Sequence, residues 1–343
     1  MTPSDSLAVG LIGAGRIGRI HALNLATRIP QARLAAVADI DLKAAQQVAD
    51  QCRAPRACRE AKELLTDPSI QAVAICSATD THARLITEAA QAGKHIFCEK
   101  PIDFDLARID RALLAVQEAG VSLQIGFNRR FDRGFRTVRD LVASGRIGKP
   151  HLLRITSRDP EPPPIEYVKV SGGIFLDMTI HDFDMARFLV GSEVEEIYAA
   201  GGVLVDPAIG RAGDLDTALI TLRFANGTLG AIDNSRKAAY GYDQRVEVFG
   251  SLGMAATGNE TPDRHVHSDA MGVHSPRPLQ FFLERYQESY LAEMRSFVEC
   301  VTAGRPPEVS GLDGRIPVVM GLAARRSVEE RRPVRLSEIS QPG

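Results

Sequence analysis

Asp177 and His181 stand four residues apart in a segment, Ser171-Gly172-Gly173 through Asp184, whose second half has helical spacing. Ile180, Phe183, Ala186, Phe188 and Leu189 form an apolar stripe, and Gly191 is a natural stop. If both residues are helical they share a face, so a carboxylate can hold an imidazole. An imidazole with an unperturbed pKa of about 6.5 accepts a proton near neutral pH, which makes His181 a candidate general base. The second chemical signal is Cys98-Glu99-Lys100-Pro101, where Lys100 offers a cation to a developing oxyanion. Each of these residues has a plainer reading: a core histidine, a helix N-cap, a pair of surface charges. The elements that carry them decide between the two.

The N-terminal part alternates strands and helices. An apolar run at 7–12 (LAVGLI) leads into Gly13-Ala14-Gly15-Arg16-Ile17-Gly18 and a helical pattern at 20–27. A strand at 34–38 ends at Asp39, and a helix follows at 42–52. Further strands are expected at 72–76, 95–98 and 122–126, with helices at about 81–92 and 105–118. This alternation predicts a parallel sheet covered by helices, with Glu99 and Lys100 at its carboxyl edge, where ligands bind. The GxGxxG triplet is weak alone, but here it follows a strand, opens a helix, and has Asp39 at the end of the second strand. Gly13 permits the tight turn, Gly15 lets a pyrophosphate approach the backbone, and Gly18 allows close helix packing. Asp39 accepts from ribose hydroxyls and repels a 2'-phosphate, which favours NAD over NADP; Arg16 nearby is a cation that softens the discrimination.

Composition changes after Gly126, and a charged stretch containing Asn128 and Arg129 leads to a helix at about 135–144. Beyond it lie β-like runs at 151–157, 195–205, 217–224, 228–235 and 244–250, with Asn226-Gly227 as a hairpin turn. The expected fold class is α/β, with a dinucleotide-binding domain at 1–126. A second α/β domain at 127–343 carries a large, mainly antiparallel open sheet, and a C-terminal helix that can pack back on the first domain. One open sheet face suits contact with another subunit.

The whole chain of 343 residues is long enough for two cores. It is 44% hydrophobic and 24% charged with a net charge of -2, which gives no attraction to nucleic acid or anionic membrane. It has no apolar stretch of about 18 residues, and MTPSDS lacks the blocks of a secretory signal. A cytoplasmic protein is expected. Cys52, Cys58, Cys76, Cys98 and Cys300 have no metal-binding spacing, so reduced thiols are expected. A metal at Asp177, His181, Asp182 and Asp184 is the weaker alternative, and no metal is expected.

Together, Gly13 to Gly18, Glu99-Lys100-Pro101, Gly126-Phe127-Asn128-Arg129-Arg130-Phe131-Asp132 and Gly172-Gly173 through Asp177 and His181 resemble the glucose-fructose oxidoreductase and inositol dehydrogenase (Gfo/Idh/MocA) family over nearly the whole chain. Ser157-Arg158-Asp159-Pro160, His181 to Met185, and Ala239-Tyr240-Gly241-Tyr242-Asp243 are most similar to bacterial inositol 2-dehydrogenases. The resemblance implies a Rossmann domain, a homo-oligomer (commonly a tetramer), and Lys100, Asp177 and His181 acting at a reacting alcohol. It also implies Thr79, His82 and Glu99 at the cofactor, beside Gly13, Gly15, Arg16, Ile17, Gly18, Asp39 and Lys100. Asn128, Arg129, Asp159, Tyr240 and Tyr286 can present hydrogen bonds to a polyol. The expected reaction is NAD-dependent oxidation of a cyclic polyol, myo-inositol first. A pyranose or another inositol isomer is the alternative, and a non-catalytic NAD(H) sensor the distant one.

Overall fold

The computed structural model describes residues 6–340. Its first sheet is built from β1 (Leu7–Ile12), β2 (Ala32–Ala38), β3 (Ala57–Cys58), β4 (Ala72–Ile75), β5 (His95–Glu99) and β6 (Leu123–Gly126). The helices between them are α1 (Arg16–Thr27), α2 (Leu42–Cys52), α3 (Ala61–Leu65), α4 (His82–Gln91) and α5 (Leu106–Ala119). All pairings are parallel, in the order β3-β2-β1-β4-β5-β6. The order reverses beside β1, and the crevice outside β1 and β4 is where such a sheet takes its ligand. Apolar strands such as LAVGLI are buried along their whole length, as strands covered on both faces must be. The expected elements are present. The first helix, however, starts at Arg16, so the fingerprint's last three residues are already helical.

The chain continues through α6 (Arg133–Ala143), β7 (Pro150–Arg158), α7 (Ile165–Val168), α8 (Ile174–Asp177), α9 (Thr179–Val190), β8 (Val194–Gly202), α10 (Pro207–Arg211), β9 (Thr217–Phe224), β10 (Leu229–Ser235), β11 (Asp243–Gly250) and β12 (Gly253–Thr257). A small hairpin, β13 (His267–Asp269) and β14 (Gly272–His274), precedes α11 (Phe282–Arg285), α12 (Gln287–Thr302), α13 (Gly311–Glu330), β15 (Val334–Arg335) and α14 (Ser337–Ser340). The second sheet has the order β12-β11-β7-β10-β9-β8-β15. Only β7 and β10 run parallel; the other pairs are antiparallel. In β9, Ala218, Ile220, Leu222 and Phe224 are buried while Leu219, Thr221 and Arg223 face outward, the period of two that a one-sided sheet requires. Asn226-Gly227 makes the β9–β10 turn, and Gly227 supplies the left-handed φ of +87°.

Two compact units result: residues 1–131 with Glu288–Ile316, and Asp132–Gln287 with Pro317–Gly343. The break falls after Phe131 rather than after Gly126. The turn Asn128–Phe131 is buried with the first unit, where Arg130 pairs with Asp313 at 2.9 Å. In α12, Leu291, Met294, Phe297 and Val298 join the first unit's core with Leu11, Leu25 and Phe97. Gln124 donates to the Glu293 carbonyl at 2.8 Å, so β6 fixes the position of α12.

Candidate active site

In the first unit the glycine loop has the predicted division of labour. Gly13 has φ +101°, and a Cβ there would lie 2.5 Å from the Cys76 carbonyl carbon. A Cβ on Gly18 would lie 2.0 Å from the Gly13 carbonyl oxygen. Gly15 differs: among the described residues nothing lies within 4 Å of its Cβ position. The loop is therefore tight behind and open in front, the shape a pyrophosphate needs at a helix N-terminus. Arg16 is exposed at that terminus and Ile17 half-buried behind it. Asp39 accepts from the Ala14 amide at 2.7 Å and from the Asp41 amide at 2.8 Å, which ties the acid to the loop. These residues fit a dinucleotide.

Around the ends of β4 and β5 the picture is mixed. Thr79 opens a short turn after β4 and is half-buried. His82 is 1% exposed, with Nδ1 2.8 Å from the Pro101 carbonyl and Nε2 3.0 Å from the Ser77 carbonyl. It ties two ligand-side loops together instead of presenting a free nitrogen. Glu99 ends β5 with one carboxylate oxygen 2.7 Å from His21 Nε2. Lys100 follows, half-buried. Asn128 and Arg129 are at 3% and 5% exposure, and the Asn128 amide nitrogen is buried with no hydrogen-bond partner among the described residues.

In the second unit, Asp177 and His181 are not on one continuous helix. α8 ends at Asp177, Met178 breaks the run, and α9 begins at Thr179. Asp177 Oδ1 accepts from the Tyr167 hydroxyl at 2.8 Å and its Oδ2 pairs with Arg236 Nη1 at 2.9 Å. Arg236 also reaches Asp159 at 3.5 Å, so the structure brings Asp159 and Asp177 to one cation. Burial opposes the charge on Arg236, but the Asp177 and Asp159 carboxylates outweigh it and hold the guanidinium above its ordinary value. Asn234, on the same face of β10, donates to Asp182 at 2.8 Å and accepts from Thr179 at 2.6 Å. This network seats α9, and His181 with it, on the sheet.

Arg236 is the functional candidate that the sequence did not single out. The available signal was period two: Asn234 and residue 236 share the inner face, where a cation needs a carboxylate. Tyr240 and Tyr286 are the remaining expected polyol contacts. Tyr240 is exposed; its hydroxyl donates to Asp243 at 2.6 Å and accepts from Arg158, which pairs with Asp233 on the outer face of β10. Tyr286 is 2% exposed against Tyr242 and Arg285. All five cysteines are free thiols, and burial pushes those of Cys76 and Cys98 well up, so neither is a ready nucleophile. Among the described residues the group whose ligand atoms are close enough to share an ion is His21, Glu99 and Glu293, not the Asp177 segment.

Residues 7–127 match the model of the oxidoreductase family with an NAD-binding Rossmann fold, and residues 135–256 match the Gfo/Idh/MocA C-terminal domain. The myo-inositol 2-dehydrogenase of Thermotoga maritima is 51% identical over 97% of this chain and 99% of its own. The inositol 2-dehydrogenase of Rhizobium meliloti is 46% identical over 96% of this chain and 98% of its own. The crystal structure of a scyllo-inositol dehydrogenase from Lactobacillus casei, with NAD(H) and scyllo-inositol bound, superposes with a TM-score of 0.91 at 30% identity, covering 97% of this chain and 99% of that one. A glycine loop shaped for pyrophosphate, an acid at the end of β2 and matches across both units lead to one conclusion: the chain belongs to the Gfo/Idh/MocA oxidoreductase family, with an NAD-binding Rossmann domain.

Proposed function

We propose that the protein oxidises myo-inositol at one ring carbinol to the 2-keto form, with reduction of NAD. The observation that carries this reading is a site chemistry suited to an alcohol, in a chain whose Thermotoga maritima and Rhizobium meliloti relatives, 51% and 46% identical, are a myo-inositol 2-dehydrogenase and an inositol 2-dehydrogenase. When bound, NAD accepts the carbinol hydride at nicotinamide C4. The chain's part is to hold the dinucleotide and manage the proton. The Gly13–Gly18 loop and the α1 N-terminus receive the pyrophosphate, and Asp39 receives the adenosine ribose. His181 takes the hydroxyl proton as general base. Lys100 puts a cation beside the developing alkoxide. Asp177, held by Arg236 and Tyr167, is fixed as a hydrogen-bond acceptor for the substrate or for His181, with Asp159 beside it on the same cation.

A second reading, oxidation of another inositol isomer, is favoured by the scyllo-inositol in the Lactobacillus casei relative. The discriminating assay is NADH formation at 340 nm with NAD or NADP and myo-inositol, scyllo-inositol, glucose, xylose or galactose at about pH 9, where proton release is favoured. The expected result is the highest kcat/KM for myo-inositol with NAD. Preference for scyllo-inositol or a sugar would move the substrate and leave the mechanism standing.

The outward face of the second sheet supports a homo-oligomer. Met254 pairs with Phe249, Phe249 with Leu152, and Leu152 with Leu229, making an apolar row across β12, β11, β7 and β10. All four are about half exposed. Such a row suits a second copy, and a tetramer is the assembly the family resemblance implies. Among the described residues no helix is long and apolar enough to cross a membrane, and a cytoplasmic location agrees with the use of NAD.

A further inference from the structure

Beneath the end of β5 the first unit holds a buried imidazole, a buried carboxyl group and a half-buried one that the alcohol chemistry does not use. His21, from α1, and Glu293, from α12, are both 0% exposed. His21 Nε2 lies 2.7 Å from Glu99 Oε1 and 3.8 Å from Glu293 Oε1. An ionised carboxylate can only accept, so the Nε2 proton is donated to Glu99. The second Glu99 oxygen lies against Gly126 on β6, where a Cβ would come within 2.9 Å of it. Glu99 is thus clasped between α1 and β6, with α12 closing over His21. The Phe97 and Tyr290 rings meet the imidazole edge-on at 4.9 and 5.8 Å and leave it little room to turn.

We propose that His21 and Glu293 are positioning residues for Lys100: by locking the Glu99 carboxylate they fix the strand end from which Lys100 projects. The proposal rests on the catalytic reading of Lys100. An imidazole and a carboxyl group are costly to bury, and the Glu293 oxygens have no hydrogen-bond partner among the described residues. A buried carboxyl in that position is most easily kept neutral. Burial, with the Glu99 charge beside it, does push the Glu293 carboxyl well above its usual range. The cluster then holds Glu99 by one donor, with a neutral group packed behind that donor.

The same three residues have the composition of a metal site, but the geometry disfavours it. A metal-bound imidazole donates its other nitrogen to a carboxylate, carbonyl or water, whereas His21 Nδ1 has no such partner among the described residues. The nitrogen nearest both carboxyls is already occupied by the bond to Glu99.

The test compares His21→Ala, Glu293→Ala, and the shape-keeping variants His21→Gln and Glu293→Gln in the full-length protein. Readouts are kcat and KM with the best substrate of the inositol panel, NADH affinity by fluorescence, and Tm. Displacement of a catalytic group by about 1 Å costs about 10²-fold in turnover. The alanine variants should accordingly lose kcat on that scale, with NADH affinity and KM within about threefold, and the glutamine variants should recover most of it. Adding His21→Ala to Lys100→Met should cost little more, since the two changes act through one group. Full kcat in folded His21→Ala, or a further 10²-fold loss in the double variant, would overturn the positioning role. One zinc or manganese ion per chain in the purified protein would overturn it too. If Lys100→Met alone keeps its turnover, the reading of Lys100 fails instead.

Discussion

Arg236 shows how much of this site is decided one residue at a time. Its 3% exposed guanidinium is the counter-charge of both Asp177 and Asp159. Arg236→Met should destabilise the protein by about 3 kcal/mol, because it leaves carboxylates without their partner, and should raise KM for inositol more than KM for NAD. Denaturant melts and steady-state kinetics check the two parts separately. Glu293 gives a prediction of opposite sign. Its carboxyl pKa is raised on folding, so over the range between the unfolded value of about 4.3 and the folded one the native state binds more protons than the unfolded chain. Stability from this group is fully present below the unfolded value and falls as pH rises from there. Glu293→Gln removes that decline, so its Tm advantage over the parent protein should be absent near pH 4 and grow toward pH 7. His21, Glu99 and Cys76 face it in both proteins. Equal Tm differences at all pH values would show that Glu293 does not carry its proton through folding.

At the scale of elements, the glycine loop separates a folding requirement from a binding one. Gly13→Ala must place a Cβ against the Cys76–Ser77 backbone at a left-handed φ, and should cost about 2 kcal/mol or more. Gly15→Ala meets nothing among the described residues, so its Tm should hold while NAD affinity falls at least about tenfold. Calorimetric titration with NAD on both variants tests the contrast; equal loss of Tm in both would remove it. This distinction was legible in the sequence, because strand, GxGxxG and Asp39 constrain one another within a single βαβ unit. The break at Met178 was not. A four-residue spacing is silent about whether one helix or two carry it, and Arg236 and Tyr167, which hold Asp177, come from other elements of the chain. Likewise β3, two residues long, has no period for a pattern to reveal.

At the scale of the whole molecule, the apolar row Met254, Phe249, Leu152 and Leu229 predicts self-association. Leu152→Glu, or Phe249→Lys, should lower the molar mass measured by light scattering, while monomer folding changes little because both side chains already face outward. An unchanged mass would put the contact elsewhere. The row can be seen only once register is known: its residues are spread from 152 to 254, and each strand by itself shows only one large outward apolar residue. The same holds for the two units. Periodicity and turn residues in the sequence determined most strands, about half of the helices, the nucleotide loop and the one-sided second sheet, because these follow from local sterics and from which face a short segment must bury. The return of residues 288–316 to the first core, the meeting of His21, Glu99 and Glu293, and the pairing of Arg236 with two aspartates were decided by tertiary structure alone. Each joins groups far apart in the chain, and which buried charge finds which partner is a property of packing rather than of any local pattern.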